Sequence, residues 1–143
     1  TDISAGMIAI GNEKLTASPV PALAFRIATA EALAQEAARF DVVLGFNYLH
    51  LVRDLPGTLR SIHGLLAAQG LFISKTPCVG DMNPLIRLLL PAMRATGAAP
   101  YASAFREAEL QRHMEAAGFE ILAVEDHATK GRENRPCIVA RKR

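Results

Sequence analysis

The chain has 143 residues, enough for one domain with one hydrophobic core, and 50% of its residues are hydrophobic. Its net charge of +2 is too small to predict a nucleic-acid partner, and its 21% charged residues are typical of globular proteins. Two cysteines exclude a disulfide framework, and no apolar run in the sequence is long enough to cross a bilayer. For two cysteines without such a framework, reduced thiols in a cytosolic protein are the default, so we expect a cytoplasmic protein.

Three elements are predicted before the middle of the chain: a helix from Ser4 to about Lys14, a strand over residues 22–27, and a helix from Ala30 to about Arg39. Ser4 and Thr29 are the residue types that cap helix N-termini, because their hydroxyl oxygens accept hydrogen bonds from backbone N–H groups of the first turn. Pro19 and Pro21 end the first helix.

Residues 40–46 form the run around which the rest is organised. Its unbroken apolar centre, Val42-Val43-Leu44, predicts a strand buried on both faces. The composition then changes to polar and aromatic residues from Phe46 to His50. Ligands of open parallel sheets bind beyond the carboxyl ends of the strands, so these residues are candidates for the rim of a site. The alternative is that they only end the strand and begin the next helix.

The remaining predicted elements begin with a helix from Asp54 to Gln69-Gly70, a strand over 71–74, and a helix after Asn83 that Pro91 kinks. A loop over 97–103 leads to a helix that starts near Glu107 and ends at Gly118. Two strands follow, over 119–124 and 137–140, with a loop over 126–135 between them. This alternation of helices and strands predicts an α/β fold with a mostly parallel sheet and helices on both faces. The last two strands lack an intervening helix, so we expect them to pair as an antiparallel hairpin.

Five segments form a pattern in chain order: Asp2-Ile3-Ser4-Ala5-Gly6-Met7-Ile8, Phe25 to Glu31, Phe40-Asp41-Val42-Val43 with Leu49-His50, Ala68 to Ile73, and Glu109-Leu110 through Ala117-Gly118-Phe119. Together they resemble the class I S-adenosylmethionine-dependent methyltransferases of the small, Rossmann-like kind. The first segment resembles the D-x-S-x-x-M-[IL] segment after the family's second strand, and the second resembles the third strand and its turn. The third resembles the FDxV…LH segment, the fourth the PGG segment with the fifth strand, and the fifth the L…AGF segment.

The resemblance implies S-adenosylmethionine as cofactor and assigns residues to it. Asp2 would accept hydrogen bonds from the ribose hydroxyls, and Ile3 and Met7 would pack on the adenine. Thr29 and Ala30 stand near the adenine edge, where Thr29 departs from the acidic residue common in the family. Phe46 and Asn47 would lie beside the methionine part. For Asp2 alone, the structural alternative is an acid that leads into a helix.

The resemblance also implies that the chain begins partway through the family's fold. The first strand and its Gly-rich turn should precede Asp2 by about twenty residues. Residues 1–143 are therefore expected to be the C-terminal part of one methyltransferase-like domain, and to bind the cofactor poorly without the upstream part.

The expected reaction is methyl transfer to a small organic acceptor. His50, Lys75 and Tyr101 are candidates for the substrate side of the site, and Cys78 is a further candidate base. Each has a structural alternative, namely a backbone-bonded histidine, a lysine extending off a strand end, loop packing and a buried thiol. No catalytic residue, metal site or nucleic-acid partner is assigned.

Three other functions compete with this reading. The first is a non-catalytic methyltransferase-like module that acts by pairing with a partner or as a homodimer, because an unpaired strand edge invites pairing. The second is a nicotinamide-dependent oxidoreductase, which shares the α/β pattern. The third is a hydrolase that uses Cys78 and His50, although no nucleophile motif surrounds the cysteine.

Overall fold

A computed structural model describes residues 1–37, 39–81, 103–126 and 135–143. The chain divides into two compact units, Thr1–Ala37 and Ala38–Arg143. The predicted helix after Asn83 and the loop that contains Tyr101 lie outside the described residues, apart from Ser103 at the end of that loop.

The first unit contains helices α1 (Ala5–Ala17) and α2 (Ala30–Ala34). Both predicted caps are confirmed, since Ser4 Oγ accepts from the Met7 N–H at 3.3 Å and Thr29 Oγ1 accepts from the Ala32 N–H at 3.1 Å. Helix α2 ends well before the predicted Arg39. It buries none of its residues, so helix propensity alone would have to extend it, and propensity is weak in so short a segment.

The predicted strand over residues 22–27 is wrong. Only one parallel bridge forms there, between Asp2 and Ile27, with the Asp2 N–H donating to Arg26 O and the Ala28 N–H to Asp2 O, both at 3.3 Å. Ala22 has a φ of 64°, in the left-handed region, which interrupts an extended backbone at the start of the segment.

The second unit contains the sheet. Its elements are β1 (Phe40–Phe46), α3 (Leu55–Leu65), β2 (Leu66–Lys75), α4 (Glu107–Ala116), β3 (Phe119–Glu125) and β4 (Cys137–Lys142), with short 3-10 turns at Leu49–Leu51 and Val79–Asp81. The strand order is β1-β2-β4-β3. Strands β1 and β2 are parallel, and β4 runs antiparallel to both of its neighbours. The predicted pairing of the last two strands is therefore confirmed, and β4 lies between β2 and β3.

The junction of α3 and β2 differs from the prediction. The helix ends at Leu65, and Leu66 already pairs with Phe40. Residues 67–70 then bulge out, with Gln69 at a φ of 63°, before Val42 pairs with Leu71. Sheet pairing thus overrides the helix pattern, which continued to Gln69.

The core lies between the sheet and the two helices on one of its faces. Leu59 and Ile62 of α3, and Leu110 and Met114 of α4, are fully or almost fully buried. From the sheet, the rings of Phe72 and Phe119 meet with their centroids 5.8 Å apart. Because each helix packs only one side on the sheet, its apolar residues recur at helical spacing.

The prediction that β1 is buried on both faces is wrong for the described residues. Val42, Leu44 and Phe46 are 47%, 58% and 57% exposed, while Gly45 is buried against the ring of Phe72. The reason is position, because β1 is an edge strand of the described sheet and packs on α3 with one face only.

Gly45 and Gly64 offer a matched pair of substitutions. A Cβ at Gly45 would lie 3.0 Å from a Phe72 ring carbon, and that ring is held by Phe119, so Gly45→Ala should lower the free energy of unfolding by about 1–3 kcal/mol. A Cβ at Gly64 meets nothing within 4 Å. Because it lies in α3, Gly64→Ala should raise stability by about 0.5–1 kcal/mol. Urea unfolding of both variants tests this packing, and an equal effect would contradict it.

Candidate functional site

The parallel pairing of β1 and β2 brings their carboxyl ends to one edge of the sheet. Phe46 pairs with Lys75, and the Asn47 N–H donates to Lys75 O at 2.8 Å. Asn47 has a φ of 50°, a conformation that asparagine adopts more readily than other residues with a side chain. The chain therefore turns sharply at the end of β1 and leaves the exposed side chains of Phe46 and Asn47 at this edge.

His50 follows in the 3-10 turn that the fully buried Leu49 anchors. The His50 carbonyl accepts from the Ser103 N–H at 2.7 Å, and Ser103 Oγ donates to Val52 O at 3.3 Å. The ring is half-buried, and its buried Nδ1 has no hydrogen-bond partner among the described residues. Burial, followed by the positive charge of Arg135, lowers the pKa of His50 below its ordinary value. His50 is therefore mainly neutral at neutral pH.

The residues assigned to the nucleoside lie together within the first unit. The bridge between Asp2 and Ile27 aligns two parallel segments, and each leads directly into a helix capped by Ser4 or Thr29. Asp2 Oδ1 accepts from the Ser4 N–H at 2.8 Å, which is the structural role considered for this acid. This bond leaves Asp2 Oδ2 without a hydrogen bond among the described residues.

Apolar and hydroxyl groups flank Asp2 in that unit. Ile3 and Met7 are 72% and 57% exposed. Thr29 is exposed and uses its oxygen as a helix cap, so its O–H hydrogen stays available as a donor, and Ala30 beside it is half-buried. Carboxylate, apolar surface and hydroxyl are the groups that a nucleoside needs for its ribose, its base face and its base edge.

Cys78 is not a reactive thiol. It is fully buried, and burial raises its pKa to about 12, with the negative charges of Asp81 and Glu107 adding to the effect. Its Sγ donates to Thr76 O at 3.8 Å. Since the thiolate is the nucleophilic form, this geometry favours the structural alternative and counts against a Cys–His hydrolase.

The sheet edge also holds groups that sequence reasoning missed. Ser74 and Thr76 are buried, and neither hydroxyl oxygen has a hydrogen-bond partner in the part of the chain that the structure describes. Arg135 lies close enough to His50 to affect its pKa. The signal for the two hydroxyls was available, because they continue the buried period-two pattern of Phe72. The position of Arg135 depends on where β4 enters the sheet, which no local pattern showed.

A family model described as a methyltransferase domain matches residues 1–124. The chain belongs to this family. The sequence resemblance to class I S-adenosylmethionine-dependent methyltransferases is thereby confirmed, and the family's cofactor is S-adenosylmethionine. A zebrafish (Danio rerio) protein named as the mitochondrial arginine-hydroxylase NDUFAF5 is 33% identical over 129 residues. The match covers 87% of this chain and 38% of the zebrafish protein, so the chain spans well under half of that relative.

Solved structures support the same fold. An S-adenosylmethionine-dependent methyltransferase from Mesorhizobium loti matches with a TM-score of 0.75 at 20% identity, over 99% of this chain and 78% of the other. The magnesium protoporphyrin IX methyltransferase of Synechocystis, solved with bound SAH, matches with a TM-score of 0.69 at 16% identity, over 99% of this chain and 61% of the other. The α/β fold with its antiparallel C-terminal strands is therefore that of the Rossmann-like methyltransferases.

Two histidines make stability depend on pH. Burial lowers the pKa of His50, and burial with the charge of Lys142 lowers that of His63. The folded chain thus takes up fewer protons than the unfolded chain once the pH falls below the unfolded value of about 6.5. The free energy of unfolding should fall as the pH drops through this value.

Urea unfolding at about pH 7.5 and about pH 5.5 measures this loss. In the variant His63→Gln, which cannot be protonated at residue 63, the loss should be smaller. Equal losses in the two proteins would contradict the assignment.

Proposed function

We propose that this chain is the C-terminal part of a methyltransferase that transfers a methyl group from S-adenosylmethionine to a small organic acceptor. The observation that carries the proposal is the pairing of Asp2 with Ile27, which sets an acid and the Thr29 hydroxyl at the ends of adjacent parallel segments. An acid in this position can accept hydrogen bonds from both ribose hydroxyls. The family match over residues 1–124 supports the same reading.

The described residues fit the nucleoside part of the cofactor. Asp2 Oδ2, which has no hydrogen bond within the described ranges, can accept from a ribose hydroxyl while Oδ1 holds the start of α1. Ile3 and Met7 expose apolar surface of the kind on which an adenine packs. Thr29 and Ala30 would face the adenine edge, where the Thr29 hydroxyl can donate to a ring nitrogen.

Phe46 and Asn47 would hold the methionine part. The left-handed turn at Asn47 leaves its amide exposed at the carboxyl end of β1, where an amide can bond an ammonium or a carboxylate. Phe46 offers an apolar face beside it. Lys75 and Tyr101 are kept as acceptor-side candidates, and Tyr101 lies outside the described residues.

Bound S-adenosylmethionine supplies a methyl group on a sulfonium, which is a good leaving system, so alignment and exclusion of water can provide much of the acceleration. His50 is neutral at neutral pH and can accept a proton from an acceptor with a weakly acidic O–H or N–H group. We leave the catalytic base unassigned.

A complete cofactor site needs a strand upstream of Asp2. Within the described residues β1 has a neighbour on one side only, and its apolar side chains at Val42 and Leu44 are about half exposed. An upstream strand paired with β1 would cover part of this surface and satisfy the open backbone edge. Its Gly-rich turn would let backbone N–H groups approach the cofactor.

The same open edge favours a second candidate function, a methyltransferase-like module that pairs with a partner or with its own copy. Size-exclusion chromatography with light scattering distinguishes the two. A dimer that persists in a chain extended upstream of Thr1 and that binds no cofactor would favour the module.

For location we propose the cytoplasm, because neither Cys78 nor Cys137 is in a disulfide. No helix among the described residues is long and apolar enough to span a membrane.

The upstream strand gives the first test of the proposal. A chain extended upstream of Thr1 should bind S-adenosylmethionine at least about 100-fold more tightly than Thr1–Arg143, because the backbone donors of the turn are then present. Isothermal titration calorimetry measures both affinities. Equal affinities would refute this part of the proposal.

Asp2 gives the second test, in the extended chain. Asp2→Asn keeps an oxygen that can accept from Ser4 but removes the charge, so S-adenosylmethionine should bind about 10- to 100-fold more weakly. Glu13→Gln removes an exposed acid on α1 and should leave the affinity unchanged. If both variants bind like the wild type, Asp2 is only a helix-leading acid.

The reaction type needs a separate measurement. The mass of the turnover product distinguishes a methyl transfer from the hydroxylation in the name of the zebrafish relative.

A further inference from the structure

Three polar groups near the carboxyl edge of β1 and β2 have no role in cofactor binding as proposed above. They are the imidazole of His50, the hydroxyl of Thr76 and the guanidinium of Arg135. Among the described residues, His50 Nδ1 and Thr76 Oγ1 are buried without a hydrogen-bond partner, as is Ser74 Oγ of β2, and Thr76 has no exposed surface at all. Buried polar atoms are nearly always paired, so unpaired atoms near one sheet edge suggest a ligand that pairs them.

The strand register explains why these groups lie near the same edge. Lys75 pairs with Cys137, so Thr76 directly follows the end of β2, and Arg135 lies two residues before the start of β4 on the neighbouring strand. The carboxyl end of β1 meets the same point of β2 through the pairing of Phe46 with Lys75. His50 follows that end by one short turn, which the fully buried Leu49 holds in place.

Two cations lie near this edge, Lys75 at the end of β2 and Arg135 before β4, and Glu125 ends β3 at the same edge. Arg135 is near enough to His50 to affect the protonation of its ring. No carboxylate partner of Arg135 is found within the described ranges, and none is found for Lys75. The hydroxyl, the neutral imidazole and the guanidinium can all donate hydrogen bonds. Such a set suits an oxyanion.

We propose that the methyl acceptor carries a carboxylate, and that Arg135, His50 and Thr76 bind it at the carboxyl edge of β1 and β2. This inference rests on the proposed function, because it names the substrate class of that site. Arg135 supplies a full positive charge and a planar pair of donors that match a carboxylate. Thr76 and the neutral ring of His50 supply uncharged donors, which suits a monoanion better than a phosphate dianion.

Exposed apolar side chains beside these groups suggest the rest of the acceptor. Phe46 and Leu51 are 57% and 47% exposed, and they flank the turn that carries His50. An apolar body attached to the carboxylate would cover Leu51 and would lie next to the methionine part of the cofactor, which Phe46 is proposed to contact. The acceptor class is therefore an organic acid with an apolar or aromatic body.

A binding experiment that needs no turnover tests the carboxylate. Benzoate is titrated into the full natural chain, and binding is followed by calorimetry and by the NMR signals of the histidine ring nitrogens. Benzoate should bind and shift the His50 signals, whereas benzamide, which has the same shape without the charge, should bind at least about tenfold more weakly. Inorganic phosphate should not displace benzoate.

Two variants and one control locate the site. Arg135→Gln should weaken benzoate binding at least about tenfold. Arg143→Gln should leave it unchanged, because Arg143 follows the other end of β4, where Phe119 pairs with Lys142. Thr76→Val replaces an unpaired buried hydroxyl by a methyl group of similar size, so affinity should fall while the melting temperature stays equal or rises.

Each other outcome overturns the proposal. Equal binding of benzoate and benzamide, displacement by phosphate, or wild-type affinity in Arg135→Gln would show that no carboxylate is recognised there. A loss of both stability and affinity in Thr76→Val would make Thr76 a structural residue only. Calorimetry with S-adenosylmethionine on the same samples distinguishes a failure of this inference from a failure of the proposed function. If the cofactor binds but benzoate does not, only this inference fails, whereas the reverse result would contradict the methyltransferase proposal.

Discussion

The parallel pairing of β1 with β2 is the constraint on which the second unit depends. It places Phe46 opposite Lys75 and fixes the turn at Asn47 through one backbone hydrogen bond of 2.8 Å. Lys75, Thr76, His50 and Arg135, the described residues discussed for the acceptor side, lie at or within a few residues of strand ends at this edge. If the register slipped by one residue, the face of every β1 side chain would be exchanged. The contact between Gly45 and the Phe72 ring prevents that, because only a glycine allows so close an approach.

Strand β4 supplies the second constraint. It runs antiparallel between β2 and β3, so the chain leading into it enters at the carboxyl edge and places Arg135 near His50. The other end of β4 makes side-chain contacts that stabilise the sheet. Arg141 pairs with Glu120 at 2.7 Å and lowers the pKa of that carboxyl, and the Lys142 amine donates to Leu66 O at 2.8 Å. In the basic C-terminal segment, these two cations therefore have structural partners.

Local patterns predicted some elements well and others poorly, for physical reasons. The run from Phe40 to Phe46 gave the observed bounds of β1, because an unbroken apolar segment followed by an abrupt change of composition has few other interpretations. The caps at Ser4 and Thr29 depend on one hydroxyl and its own helix, so they could also be predicted. The end of α3 could not, because Leu66 leaves the helix in order to pair with Phe40, which is distant in sequence.

The candidate site residues also differ in how far local sequence patterns could predict them. Asp2, Thr29, Asn47 and His50 could be proposed as candidates because each lies beside a recognisable element, and the resemblance to a family suggested their roles. Thr76 and Arg135 were missed because their significance comes from the pairing of β2 with β4, residues separated by about sixty positions in the sequence. The unpaired Nδ1 of His50 also needed coordinates, since a sequence shows which residue is present but not whether its polar atoms are satisfied.

The most direct measurement is a crystal structure of the chain extended upstream of Thr1, grown with S-adenosylhomocysteine. If the chain is a methyltransferase, the Asp2 carboxylate should lie within hydrogen-bond distance of the ribose hydroxyls, and Asn47 should lie beside the amino-acid end of the same ligand. A ligand bound elsewhere, or Asp2 and Asn47 too far apart to contact one molecule of it, would contradict the proposed cofactor site.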